Sequence, residues 1–274
     1  MEPITIALVQ FCPEPGSPDK NAEKMNEYIR SAKNKNADLV VFPECSLTGY
    51  FPEKAAEFAV RADCRAVKNL EDLACELDIA VCFGYMESVP AEEPAEPAGS
   101  RRFAIAQEIF ASGVRTIYRK THLANREEAV FKPGNAFPLA GIAGIAAGMQ
   151  LCWESHIPQI SAAYRKQGAQ LLLFPYASGM SGEKCLENWG VHLPARASDN
   201  GCFTAACNLI SHDKGGGMAV WDPKGRIMAQ YWGKGENMLL CSIGGKLPRE
   251  IFAEGCEDMH SISYFDKMRS ELFT

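Results

Sequence analysis

Two seven-residue segments of this chain echo one another. ADLVVFP at 37–43 and AQLLLFP at 169–175 share the pattern A-x-L-x-x-F-P. Both runs are apolar at successive rather than alternate positions, as expected of strands covered on both faces. Both also follow a helical segment. Before the first, Ala22, Met25, Ile29 and Ala32 recur at helical spacing behind Ser17-Pro18, an N-cap with proline at the first helical position. Behind the first echo come a helical stretch over about 53–77 and the strand-like run IAVCFGYM at 79–86. Behind the second come a helix over about 184–199 and the run CFTAACNLI at 202–210. A hairpin closes each half. FAIAQEIF (103–110), Ser112-Gly113 and VRTIYR (114–119) form one, and Asp222-Pro223-Lys224-Gly225 turns the other. With ITIALV at 4–9 as an opening strand, the order α-β-(α)-β-β occurs twice. Two sheets with helices on one face each can pack their bare faces together, which predicts an α/β four-layer α-β-β-α sandwich.

Two halves of one sandwich make residues 1–246 a single domain. The last 28 residues, 247–274, carry Phe252, Tyr264, Phe265 and Phe273 without periodicity and are expected to form a C-terminal arm of that domain, packed on a partner subunit. Residues 89–100 (VPAEEPAEPAGS) read as a solvated surface loop rather than a linker, because strand-like runs continue on both sides. The net charge of −6 and the absence of any basic run longer than Arg101-Arg102 argue against a nucleic-acid partner. No apolar stretch approaches the ~18–20 residues that cross a bilayer, so no membrane partner is expected. Met1-Glu2-Pro3 offers no basic region of a secretory leader. Several of the eleven cysteines (Cys82, Cys202, Cys207, Cys241) sit in apolar runs, where a thiol behaves as a small hydrophobe, and no CxxC pair offers a zinc or redox site. Reduced thiols in a cytoplasmic protein are the expectation.

Three positions stand out chemically. Glu44 directly follows the buried run 37–43, where desolvation would raise its pKa and make it a base. Position alone favours a carboxylate emerging into solvent. Lys120 ends VRTIYRK and by itself says little. Cys152, in GMQLCWESHIPQ (148–159), lies between a short strand and a helix with Pro158 in its first turn. Backbone N–H groups and a helix N-terminus there would lower a thiol's pKa. His156 could complete a Cys–His pair, but a histidine four residues away on the same segment is more often a packing residue.

FPECSLTGY (42–50), YRKTHL (118–123) and GMQLCWESHIPQ (148–159) resemble, in order, the three signature blocks of the nitrilase superfamily of carbon–nitrogen hydrolases. The separations fit, with 76 residues from Glu44 to Lys120 and 32 from Lys120 to Cys152. QGAQLLLFPYAS (167–178), PARASDNGCFTAACN (194–208) and GGGMAVWDPKGRI (215–227) resemble the family's downstream segments. The resemblance implies the same sandwich fold, no metal or organic cofactor, and a Glu-Lys-Cys triad. In it Cys152 is the nucleophile and Glu44 the general base, shielded from water beside Cys152 and kept ionised if Lys120 offsets its burial. Lys120 and the Trp153 N–H would hold the oxyanion. A second glutamate is implied, Glu127 in preference to Glu128. Pocket walls are expected near Tyr50, Trp153, Tyr176-Ala177-Ser178 and Trp189. Ile157-Pro158-Gln159 departs from the family's aromatic-Pro-acid run, which bears on the turn and the start of the next helix, and Trp153-Glu154 replaces the commoner Tyr-Asp. The implied reaction is hydrolysis of a small non-peptide amide through a Cys152 thioester. A nitrile or N-carbamoyl amine is the alternative substrate, and a non-catalytic binding protein the alternative class. A homodimer is implied. With no synthetase-like extension, a glutaminase domain feeding a second active site in the same chain is not expected.

Overall fold

The computed structural model describes residues 2–89, 102–211 and 214–244. Most of the loop expected at 89–100, the boundary at 246 and the arm at 247–274 lie outside the described residues. In chain order the first half contains β1 (Ile4–Gln10), α1 (Pro18–Asn34), β2 (Leu39–Val41), α2 (Ala55–Phe58), α3 (Arg65–Leu77), β3 (Ala80–Ser88), β4 (Phe103–Ala111) and β5 (Val114–Arg119). The second contains β6 (Ala140–Ile142), β7 (Ile145–Met149), α4 (Pro158–Lys166), β8 (Leu171–Tyr176), α5 (Gly182–Asn200) and β9 (Phe203–Asn208). It continues through β10 (Ile210–Ser211), β11 (Lys214–Gly215), β12 (Met218–Trp221), β13 (Ile227–Tyr231) and β14 (Asn237–Ile243).

Among the described residues twelve of these strands form two six-stranded sheets, ordered β14-β1-β2-β3-β4-β5 and β13-β12-β9-β8-β7-β6, and β10 and β11 pair by themselves. In the first, β1, β2 and β3 run parallel, and the outer strands are antiparallel. In the second, β7, β8 and β9 take that parallel role. The two sheets therefore share one pattern of parallel and antiparallel pairing, and the echoed segments supply the middle parallel strand of each, β2 and β8. Strand alternation sorts their side chains. Leu39, Val41, Leu171 and Leu173 enter the core between the sheets. Val40 packs toward Met25, Ile29 and Leu70 of α1 and α3, whereas Leu172 and Phe174 pack toward Ile160 and Trp189 of α4 and α5. The layers are helix, sheet, sheet, helix, as the echo predicts. Each large apolar side chain so enclosed contributes roughly 1.5–3 kcal/mol relative to exposure.

Local chemistry explains the boundaries. The β4–β5 turn places Ser112 and Gly113 at φ 49° and 76°, the left-handed pair that matches strand twist in a two-residue hairpin. At the β12–β13 turn the Gly225 N–H donates to the Asp222 carbonyl at 2.8 Å. The helix expected at 184–199 begins at Gly182, behind Ser181, whose hydroxyl accepts from the Lys184 N–H at 3.4 Å, and ends before Gly201 at φ 57°. The single helix expected over 53–77 is instead broken. The Val60 N–H donates to the Met86 carbonyl at 2.9 Å, and its carbonyl accepts from the Ser88 N–H at 2.8 Å. A backbone paired with β3 in this way cannot also continue the helical ladder, so α2 stops at Phe58 and α3 starts at Arg65.

Candidate active site

The ends of β2, β5, β7 and β8 carry the candidate residues. Beyond β2 the Phe42 N–H still bonds the Cys82 carbonyl at 2.7 Å, and Cys45 then turns the chain at φ 55°. Glu44 is consequently folded back inside, 1% exposed, rather than emerging into solvent. Lys120 follows β5. Its N–H donates to the Ile105 carbonyl at 2.9 Å and its side chain is 1% exposed. The Lys120 Nζ donates to Glu44 Oε1 at 2.9 Å and to Glu127 Oε1 at 2.8 Å. Glu127 is buried and fixed by the Tyr50 hydroxyl at 2.9 Å and the Ala124 N–H at 2.7 Å. Glu128 is exposed, so Glu127 is the neighbour that reaches the lysine.

Cys152 opens a 3-10 turn, Cys152–His156, just beyond β7, and is partly buried. Its φ of 46° is rare for a residue with a side chain and marks a tight elbow. From the end of β8 the Ala177 N–H donates to Glu44 Oε2 at 3.1 Å and also faces the Cys152 sulfur. Burial pushes the thiol up to about 12, with the Glu44 charge adding to it, against Lys120 and the Ala177 N–H. The depressed thiol expected from a helix N-terminus is therefore not what the structure has, because the site is enclosed and the turn is five residues of 3-10 helix. Burial also raises Glu44, to about 7, and Glu127 and Glu154 add to the rise. Lys120 opposes them without cancelling them. Burial alone would lower Lys120, but the charges of Glu44, Cys152 and Glu127 outweigh it and hold the ammonium well above its usual value. The resting arrangement is thus a neutral thiol, a carboxylate poised near neutrality and a locked cation.

The expected pocket walls divide. Tyr50 commits its hydroxyl to Glu127. Trp153 is 49% exposed and lies against His156 at 5.2 Å between ring centroids, with His156 on His192 at 4.4 Å. His156 is thus engaged in tilted ring contacts, on the surface side of the turn. Tyr176 does not line an open wall. Alternation along β8 turns it, with Leu172 and Phe174, to the helix side, where it is 3% exposed and packs, tilted, against the fully buried Trp189 at 4.6 Å between ring centroids. Pro158 begins α4, as the block after Cys152 suggests.

Two further residues shape the site. Asn208 Oδ1 accepts from the Ser178 N–H at 2.9 Å, and its Nδ2 donates to the Ser178 and Gly216 carbonyls, both at 3.1 Å. That pins the loop carrying Ala177. Its only sequence signal is an amide ending the buried run CFTAACN. Glu154 is fully buried beneath the Cys152 turn, and its place two residues past the cysteine was the available signal. Among the described residues, no group of three or more His, Cys, Asp or Glu is placed to hold a metal ion, and no helix is long and apolar enough to cross a membrane.

A family model described as Carbon-nitrogen hydrolase matches residues 5–243. The chain is 26% identical to the 2-oxoglutaramate amidase of Bacillus subtilis over 98% of this chain and 99% of that protein. It is 24% identical to an omega-amidase of Xenopus tropicalis over 92% of each. Among solved structures, the amidase of Nesterenkonia sp. superposes with a TM-score of 0.77 at 24% identity, covering 98% of this chain and 95% of that one, which shows a common fold.

Proposed function

The chain belongs to the carbon-nitrogen hydrolase family, and from that premise we propose that it hydrolyses a small non-peptide amide, R–CO–NH2, to the acid and ammonia. The observation that carries this reading is the Lys120 ammonium held at 2.9 and 2.8 Å between two buried carboxylates, beside Cys152 at a tight elbow. Glu44 takes the thiol proton as the sulfur attacks the carbonyl carbon. The new oxyanion is held by Lys120 and by the Trp153 N–H, which lies in the first turn of a helical segment and so has no partner within it. The proton on Glu44 passes to the departing nitrogen, the C–N bond breaks and ammonia leaves a thioester on Cys152. Water then attacks the thioester, giving its proton to Glu44, and the C–S bond breaks to release the acid and restore the thiol. Glu127, bonded to Lys120 and Tyr50, holds the ammonium in place throughout.

Relatives named 2-oxoglutaramate amidase and omega-amidase support an ω-amide as the first substrate class to try. A relative in Schizosaccharomyces pombe named probable nitrilase, 26% identical over 76% of this chain, supports a nitrile as the second. A nitrile would need one more water and a thioimidate on the same cysteine. Ammonia release from a panel of ω-amides, N-carbamoyl amines and nitriles tests the reading. Turnover of amides supports it, turnover of nitriles alone favours the second reading, and no turnover of any class leaves only a binding role. The ten free cysteines among the described residues support placement in a reducing, cytoplasmic compartment, and a homodimer is the assembly we propose.

A further inference from the structure

Glu154 belongs to no step of that reaction, yet its carboxylate lies between two of the groups that carry it out. Oε1 accepts from the Tyr118 hydroxyl at 2.6 Å, the Thr121 N–H and hydroxyl at 2.8 Å each, and the His122 N–H at 3.0 Å. Oε2 accepts from the Leu151 N–H at 2.9 Å. The first oxygen therefore grips the chain on both sides of Lys120, which leaves β5 of one sheet. The second grips the residue before Cys152, which leaves β7 of the other sheet. Apolar packing joins these sheets elsewhere and is not directional, whereas this bridge is.

We propose that Glu154 is a positioning residue for the reaction, fixing the Lys120 segment relative to the Cys152 elbow so that ammonium and sulfur meet the same carbonyl. This rests on the thiol mechanism proposed above. The chemistry of the bridge requires a carboxylate. Every partner is a donor, so both oxygens must accept, and an ionised carboxylate alone among side chains of this length does so. Among the described residues no Lys or Arg lies within 4 Å of it, and the nearest basic side chain is the exposed His122, at 3.9 Å. The converging donors instead stabilise the buried charge. A glutamine of the same shape can keep one oxygen over the four donors, but its NH2 then faces the Leu151 N–H, donor against donor. Glu154→Gln thus separates the two segments while leaving the volume unchanged.

The test compares wild type, Glu154→Gln and the double variant Tyr118→Phe/Thr121→Val, which removes two hydroxyl donors and keeps the Leu151 link. Steady-state kcat and KM on the best amide, melting temperature, and the rate of Cys152 alkylation by iodoacetamide, read by intact mass, are measured for each. Misplacement by about 1 Å costs ~10²-fold in rate. Glu154→Gln should lower kcat by about that factor with KM within ~3-fold, and slow alkylation, in a protein that still melts cooperatively. The double variant should lose roughly tenfold in kcat at similar KM. A folded Glu154→Gln protein with wild-type kcat and alkylation rate overturns the proposal, as does a loss confined to KM. If Glu154→Gln does not fold, the double variant decides, and full kcat in it overturns the proposal. Were the wild type to release no ammonia from any amide, the substrate reading would fail, and the alkylation rates alone would decide the role of Glu154.

Discussion

In the proposed mechanism Glu44 is the group whose protonation sets the rate below neutrality. Burial holds its carboxyl near 7, above an ordinary glutamate, so it gains a proton as pH falls through neutrality and can no longer accept one from Cys152. A raised pKa on a required base means activity present above that value and lost below it. We expect kcat/KM to fall about tenfold per pH unit on the acid side, with an apparent pKa near 7 that belongs to the Glu44–Lys120–Glu127 cluster as a whole. A limb near 4.5, the ordinary glutamate value, would show that burial does not govern the base. Glu44→Gln keeps shape and hydrogen bonding but removes the acceptor, so acylation and deacylation should both slow by ~10²–10⁴-fold in single-turnover experiments. Because the thiol sits near 12, acylation at wild-type speed in that variant would mean another group deprotonates Cys152. Lys120 occupies a gap of 2.9 and 2.8 Å to its two carboxylates. A planar guanidinium does not fit that gap, so Lys120→Arg should lose activity almost as completely as Lys120→Ala. Near-full kcat in the arginine variant would remove Lys120 from the oxyanion role.

At the scale of elements, strand β3 passes so close to the Glu44 turn that only glycine fits at residue 84. A Cβ there would lie 2.3 Å from Gln107 Oε1 and 2.6 Å from the Cys45 nitrogen. Gln107 cannot move freely, because its amide donates to the Phe42 carbonyl at 3.1 Å. Gly84→Ala should therefore destabilise by ~1–3 kcal/mol and displace Glu44, lowering kcat as well as the melting temperature. Gly141→Ala, where an added Cβ meets nothing within 4 Å, is the matched control and should change neither. Equal melting temperatures for the two variants would contradict this packing account. Such close approaches are invisible in sequence, since they join residues far apart in the chain. The same is true of the break between α2 and α3. The apolar spacing over 53–77 is helical, and only the pairing of Val60 with β3 interrupts it. The hairpin at Ser112-Gly113 and the α1 stripe were legible because each depends on neighbours in sequence.

For the whole molecule, the layered duplication was readable from two short apolar runs, because a strand buried on both faces must be apolar throughout. That Glu44, Lys120 and Cys152 come together was readable from motif order. The balance of burial against charge was not, because it depends on how completely the sheets close over the site. Hence burial raises the thiol that the turn was expected to lower, and Tyr176 turns to the helix layer. The proposed homodimer should scatter light at micromolar concentration as twice the mass of one chain, and a single-chain mass would contradict it. The most direct test of the central claim is intact-mass analysis of the whole protein quenched during turnover of a slow amide. A covalent acyl group that maps to Cys152, and is absent from Cys152→Ala, is the predicted result. An adduct on any other cysteine, or turnover by Cys152→Ala at the wild-type rate, would contradict it.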